Sequence, residues 1–436
     1  MQMNALILLL AVSAATTPEA PLTAREAAAL AAGESPAVTR ARAETDLARA
    51  RETAARSRLG PSLTADFGFL SSNDPVDAFS LALKEERFSA AEFFASDPNN
   101  PGTVHDWSGI LAASWTVDLF GAARGEARAA AGTVRAAERS AGRTRDTTAM
   151  QAVVAFAGAK RAEDALALLA QREADARRDA AIAASLQEQG MTTAADPARA
   201  RAALAEVRAE AAGHRAALEE ARAALVALIG AEAARRPLAE LPGPRFVPEA
   251  GTAERDDVAA AELAAKAAHD QEKAASRSRL PALLIQGRYE LHAPKPADRW
   301  GDSASIFGGF RIPLFASGAI DSRVAESRAA ALSAEASASS SRRAAQKEIA
   351  SARAELSASE ARVAAFSEAE AAARQAREIQ QARYDEGAAR LADLLEARAA
   401  ELRARLGVSG AKAERVAAEA KLRLALGLPP EGEENP

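Results

Sequence analysis

Apolar positions recur along this chain at two different periods, and the alternation of the two divides it. From Leu314 to Leu428, a stretch without proline, the longer period holds. Ile349, Leu356 and Val363 stand seven apart, with Ala352 and Phe366 on adjoining positions, and Leu391, Leu395, Leu402 and Leu406 continue a three/four spacing. Seven-residue spacing lays an apolar seam along a helix for a partner helix. The Arg, Glu, Gln and Ala between suit solvent and helix propensity. The pattern predicts a very long helix, a tight tip at Tyr384-Asp385-Glu386-Gly387, and a second helix returning beside it.

Elsewhere the period drops to two. In 62–69, Leu63, Ala65, Phe67 and Phe69 alternate with Ser62, Thr64, Asp66 and Gly68. In 107–117, Trp107, Gly109, Leu111, Ala113, Trp115 and Val117 alternate with Ser108, Ala112, Ser114 and Thr116, with Ile110 out of type. Leu283, Ile285, Gly287, Tyr289 and Leu291 oppose Gln286, Arg288, Glu290 and His292; Ile306, Gly308, Phe310, Ile312 and Leu314 oppose Ser305, Gly309 and Arg311. Each run reads as a strand with one apolar face, the last two spanning about 282–291 and 303–315.

These elements come twice in the same order. Arg56-Ser57-Arg58-Leu59 recurs as Arg277-Ser278-Arg279-Leu280, each followed at once by a strand, and Leu119-Phe120 matches Leu314-Phe315. Gln189-Gly190 stands six residues before Asp196, as Glu386-Gly387 stands six before Asp393. The distance from Phe120 to Gly190 is 70 residues and from Phe315 to Gly387 it is 72, an agreement that implies an internal duplication. The expected division is a first repeat over 16–235 with its tip at Gly190, a linker over 236–250 carrying four prolines, a second repeat over 251–428 with its tip at Gly387, and a tail over 429–436. A helix of about 70 residues is on the order of 100 Å long.

Composition narrows the function. Aromatics are 4%, charged residues 26% and the net charge is −5. An Ala/Arg/Glu-dominated chain with three/four periodicity suits extended helices. Basic and acidic residues interleave, which disfavours nucleic acid as a partner. No cysteine is present, and the four histidines form no close pair, so neither a disulfide nor a metal site is expected. No Gly-rich phosphate loop follows a strand, and no enzyme or cofactor is expected. Residues 1–15 carry the apolar run Leu6–Leu10 and small residues Ser13 and Ala15, the pattern of a secretory signal peptide; a short buried helix is the alternative.

The strands are near ten residues long, small and polar on one side, and flanked by Trp107, Trp115, Tyr289 and Trp300. That fits an outer-membrane barrel. Four strands cannot close one, and an open edge in lipid leaves backbone groups unpaired. A barrel must therefore be shared between copies, and a wide pore needs three or more of them.

The whole arrangement resembles the TolC family of outer-membrane efflux channels, from about Leu22 to Leu428. The resemblance is carried by the duplicated order, by Trp115-Thr116-Val117-Asp118-Leu119-Phe120-Gly121 and Ile312-Pro313-Leu314-Phe315, and by Ala382-Arg383-Tyr384-Asp385-Glu386-Gly387 with Leu391-Ala392-Asp393-Leu394-Leu395-Glu396-Ala397. It implies a mainly α fold with a small β part. Long antiparallel hairpins form an α-barrel tunnel, and each chain gives four strands to a shared 12-stranded β-barrel of a homotrimer. It further implies outer-membrane lipid around the barrel and a periplasmic adaptor protein and an inner-membrane pump at the tips Gly190 and Gly387. By position, Asp393 and Glu396 match the family's acidic ring at the periplasmic constriction, and Asp196 and Tyr384 match residues that latch the closed entrance. Asp196, which precedes Pro197, also reads as a helix N-cap. Asp393 and Glu396, three apart on one helix face, also read as a solvated face. The family pattern is departed from at Ala389, with Arg390 one position off. The competing reading is a soluble periplasmic coiled-coil scaffold or adaptor, which needs neither the duplication nor the strands.

Overall fold

The computed structural model describes residues 20–91, 97, 99–248 and 254–430. The expected signal segment and residues 431–436 of the tail lie outside the described residues. In chain order the elements are α1 (Ala24–Glu34), α2 (Pro36–Ser57), β1 (Ser62–Ser72), α3 (Pro75–Lys84), β2 (Val104–Val117), α4 (Ala122–Glu188), α5 (Ala195–Ile229), α6 (Ala231–Ala234), α7 (Asp256–Arg277), β3 (Ala282–Ala293), β4 (Gly301–Arg311), α8 (Ala319–Asp385) and α9 (Leu391–Ala425). The chain divides into two compact units. One holds 1–41, 141–256 and 343–436; the other holds 42–140 and 257–342.

The second of these units contains the sheet. Its four strands are antiparallel in the order β1-β2-β3-β4. The register aligns one face as rows of apolar residues: Leu63, Ala113, Gly287 and Ile306; then Ala65, Leu111, Tyr289 and Ala304. Large side chains sit beside small ones, and the Phe67 ring lies over Gly109. This face is bare: Phe67 and Ile306 are each 87% exposed. The opposite face carries Ser62, Ser114, Gln286 and Phe307 in one row and Thr64, Ala112, Arg288 and Ser305 in the next. Phe307 breaks the polar alternation, and its ring folds over Gly309, where a Cβ would collide with it. β4 ends at Arg311, short of the expected 315. Pro313 has no N–H for a ladder, and Ser317 and Gly318 then take positive φ to start α8.

Beside the sheet, α4 and α7 approach closely. A Cβ on Gly125 or Gly132 would lie 2.8 or 2.9 Å from the Cβ of Ala274 or Ala267. The helices are antiparallel with a matched seven-residue repeat of the smallest side chains. The junction from β2 into α4 is built by Asp118, whose carboxylate accepts from the Arg124 N–H at 2.8 Å and from the Arg124 guanidinium. Gly121, at φ +81°, turns the chain, and Arg277 donates to its carbonyl at 3.1 Å.

The other unit has an alanine-rich core. Phe156, Leu22, Leu225 and Ala152 have no exposed surface, packed with Ala27, Ala31 and Ile229. Leu22 and Leu238 form a parallel bridge, and Arg236 clamps it by bonding Glu26 and the Ala20 carbonyl. Two guanidinium groups, from Arg143 and Arg255, donate to the terminal carbonyls of Leu424 and Ala425. They satisfy orphan acceptors and complement the negative end of the α9 dipole.

Candidate functional site

The ends of the two hairpins, α4–α5 and α8–α9, both lie in this helical unit. Each long helix stops in the same way. Gly190 and Gly387 have φ of +73° and +72°. Their N–H groups bond back to Gln187 and Tyr384, and the next residues, Met191 and Ala388, bond to Leu186 and Arg383. This is the Schellman arrangement, which needs a left-handed residue at that point. Both glycines are open to solvent with nothing near a Cβ.

Behind the glycines a small apolar cluster of Ala183, Ala200, Leu391 and Leu395 packs against Ala180 and Tyr384. Deeper in, the seam turns ionic. Along α4 the buried positions run Ala162, Ala165, Leu169, Arg172, Ala176 and Ala183, with Asp179 at the position the spacing skips. Along α9, Arg398 falls between Leu395 and Leu402 of the stripe. Arg398 donates to Asp179 and to Gln381, and Arg172 lies 3.4 Å from the same Asp179 carboxylate. Burial, and then the neighbouring Arg398 charge, hold the Arg172 guanidinium below its usual pKa against the pull of Asp179. Arg377, bonded to Glu401 at 3.0 Å, and Arg178 help line the same cleft of about 410 Å³.

Of the residues expected from the sequence, Tyr384 lies within reach of the charges of this triad and of Asp196. Tyr384 is half-buried; burial first, then the charges of Asp179 and Asp196, push its phenol above the usual value. Its hydroxyl makes no hydrogen bond among the described residues. Asp196 is not the N-cap: α5 begins at Ala195, and the cap position is Ala194, which offers no side-chain acceptor. Asp196 instead lies in the first turn, accepting from the Thr192 hydroxyl and facing Arg199 at 3.5 Å, where a carboxylate favours the helix dipole. Asp393 accepts from the Arg390 N–H and guanidinium at 3.3 and 3.1 Å. That bond, more than anything else, holds its carboxyl below the usual range. Glu396 is exposed and makes no ion pair among the described residues. Asp393 and Glu396 therefore share a face but not a state: one carboxylate is neutralised by its own helix cap and the other is free.

Sequence reading missed Arg172, Asp179 and Arg398. The signal was present, because a charge inside a three/four apolar stripe marks a polar seam position. Among the described residues no group of acidic, His or Cys side chains has the geometry to hold a metal ion. No described helix is long and apolar enough to cross a membrane.

Comparison with known proteins bears on the whole arrangement. No curated protein matches the chain by sequence. Solved structures match across its length. A membrane protein from Pseudomonas aeruginosa aligns at TM-score 0.80 and 22% identity, covering 93% of each chain. The CmeC outer membrane channel of Campylobacter jejuni aligns at 0.81 and 18%, covering 93% of this chain and 85% of the other. The outer membrane protein VceC of Vibrio cholerae aligns at 0.77 and 22%, covering 93% and 96%. These are folds with a helical barrel and a shared β-barrel, and the four-stranded sheet and long helices here are the same parts. The family model for the outer membrane efflux protein matches residues 28–231 and 247–428. Its members are non-enzymatic channels of the outer membrane extending into the periplasm, and this chain, matched over both segments, belongs to the outer membrane efflux protein family.

Proposed function

We propose that this efflux channel works as a passive homotrimeric duct, the exit of a tripartite efflux or type I secretion assembly. The observation that carries the reading is the sheet. Four antiparallel strands with a bare apolar face and, among the described residues, no further strand partner on β1 or β4 meet the conditions for lipid only when other copies close the edges. Three chains give twelve strands, enough for an open lumen. In this reading the apolar face meets lipid and the face with Gln286, Arg288 and Arg311 lines the pore.

The tips at Gly190 and Gly387 are the docking ends for a periplasmic adaptor and, through it, an inner-membrane pump. Two copies of one Schellman-capped tip per chain offer a quasi-repeated surface, which the duplicated repeats 16–235 and 251–428 supply; the two matched family segments support that division. Asp393 and Glu396 form the acidic mouth. Asp196 and Tyr384 are the entrance latch, supported by the effect of the Asp196 charge on the Tyr384 phenol. Transport is down a path opened by partners, with no chemistry on the chain.

Native mass spectrometry in mild detergent tests the reading, with a trimer expected. Monomer alone, under conditions that keep the sheet folded, would remove the shared barrel.

A further inference from the structure

The ladder places His292 and Glu290 of β3 and Asp106 of β2 on the polar face of the sheet, at the end where β1 turns toward β2 and β3 toward β4. Charged side chains are rarely buried without partners, yet Asp106 and His292 are only 2% and 5% exposed. His292 lies between the two carboxylates. Its Nδ1 is 2.9 Å from Asp106 Oδ2 and its Nε2 is 3.1 Å from Glu290 Oε2. Such a bridge is satisfied in full when both ring nitrogens carry protons. Arg288, from the same strand, also bonds Glu290.

The cover is α3 and the turn after it. Lys84, the last residue of α3, donates to Glu290 Oε2 at 2.9 Å. Glu86 accepts from Arg299 at 2.6 Å. Gly301, the ladder partner of His292, lies so close beneath that a Cβ there would sit 2.2 Å from the Lys84 carbonyl oxygen. No larger residue admits this contact. Asp74 fixes the start of the segment by accepting from the Val76 N–H at 2.7 Å.

We propose that residues 74–87 form a lid docked on the pore side of the sheet at its outer mouth, with Lys84–Glu290–His292–Asp106 as its clasp. The inference rests on the barrel reading above, which makes the polar face the lumen. A segment lying on that face narrows the opening, and three copies narrow it together. The clasp is ionic, and so it is poised. The Lys84 end of the contact is open to solvent and the Glu290 end is buried, so the pair gains little, yet losing the cation strands a buried carboxylate. One oxygen each of Glu85 and Asp106 is buried with no hydrogen-bond partner among the described residues. That cost is relieved when the lid lifts and water enters, so the closed arrangement is held against a standing opposition.

The test uses the full-length trimer. Lys84→Met keeps the length of the side chain and removes the charge; Gly301→Ala lifts the same backbone with no change of charge; Lys84→Arg restores the cation. Single-channel conductance in planar bilayers and amide hydrogen exchange over 75–87 are read together. Both disrupting variants are expected to conduct more than wild type and to exchange about tenfold faster over the lid, with the strands unchanged, and Lys84→Arg to return both readouts. Conducting channels with unaltered conductance overturn the lid, whether or not exchange quickens. A wild-type protein that stays monomeric in mild detergent with its sheet folded overturns instead the barrel reading beneath it.

Discussion

Arg398 of α9 donates a hydrogen bond to Asp179 of α4, and that one carboxylate also faces Arg172 at 3.4 Å. Two guanidinium groups thus share a single anion inside a helix seam otherwise made of Ala and Leu. Removing the anion leaves two like charges facing each other across α4 and α9. Asp179→Leu is expected to destabilise the helical part by on the order of 3 kcal/mol, the usual cost of stranding a buried charge. The double substitution Asp179→Leu, Arg398→Leu is expected to recover part of the loss. A double-mutant cycle on chemical denaturation midpoints reads the coupling; additive losses would show that the three groups do not act as a unit.

The two carboxylates of the proposed mouth are predicted to be unequal. Arg390 already neutralises Asp393, whereas Glu396 is unopposed. Glu396→Gln should therefore lower cation preference more than Asp393→Asn does, and Arg390→Ala should raise it by freeing Asp393. Reversal potentials in a salt gradient give the order. The differences should shrink in high salt, as the Debye length falls from about 10 Å at 0.1 M to about 3 Å at 1 M. Equal effects of the two carboxylate substitutions would count against this assignment.

The two faces of the sheet should differ in their tolerance of charge. Leu111→Lys places an ammonium on the apolar face and is expected to cost about 2–4 kcal/mol in lipid, against nearly nothing for Ser114→Lys on the polar face. Folding into vesicles of saturated phosphatidylcholine, followed by denaturant titration, compares the two. Matching losses would contradict the assignment of faces.

Asp118 gives a pH dependence with a definite sign. Its burial favours the neutral acid, but the bonds from the Arg124 N–H and guanidinium, and from the Gly121 and Ala122 N–H groups, outweigh that and hold the carboxyl below its usual range. A carboxyl lowered on folding stabilises above its unfolded pKa and loses that contribution as pH falls through its folded one. Asp118→Asn keeps an oxygen acceptor but removes the charge that holds the Arg124 guanidinium; it is expected to cost about 1 kcal/mol at neutral pH, the margin of a charged over a neutral hydrogen bond, and progressively less in acid. Thermal melts at several pH values will show the gap closing or staying constant.

Periodicity made the elements legible because it acts locally. A three/four stripe or a two-residue alternation fixes which face is apolar before any partner is chosen, and Gly190 and Gly387 announced their turns by being the residues that turn requires. What stayed hidden depends on distant neighbours. The excursion between β1 and β2 showed no period, and that Lys84 returns to Glu290 is known only once the ladder is folded. Asp196 followed by Pro197 looked like a cap; the helix begins two residues before Pro197, at Ala195, and the carboxylate finds Thr192 instead. Phe307 sits on the polar face because Gly309 leaves room for its ring, a compensation between neighbours on one face that a polarity pattern does not register.

The open edges of the sheet carry a consequence for biogenesis. β1 and β4 each run 11 residues and meet no partner strand among the described residues. In the shared-barrel reading proposed above, a chain that reaches the membrane alone cannot complete its hydrogen bonding there, so insertion is not a unimolecular step. Its rate should climb steeply with the local concentration of newly exported chains. Until copies meet, each chain presents two strand templates to anything nearby.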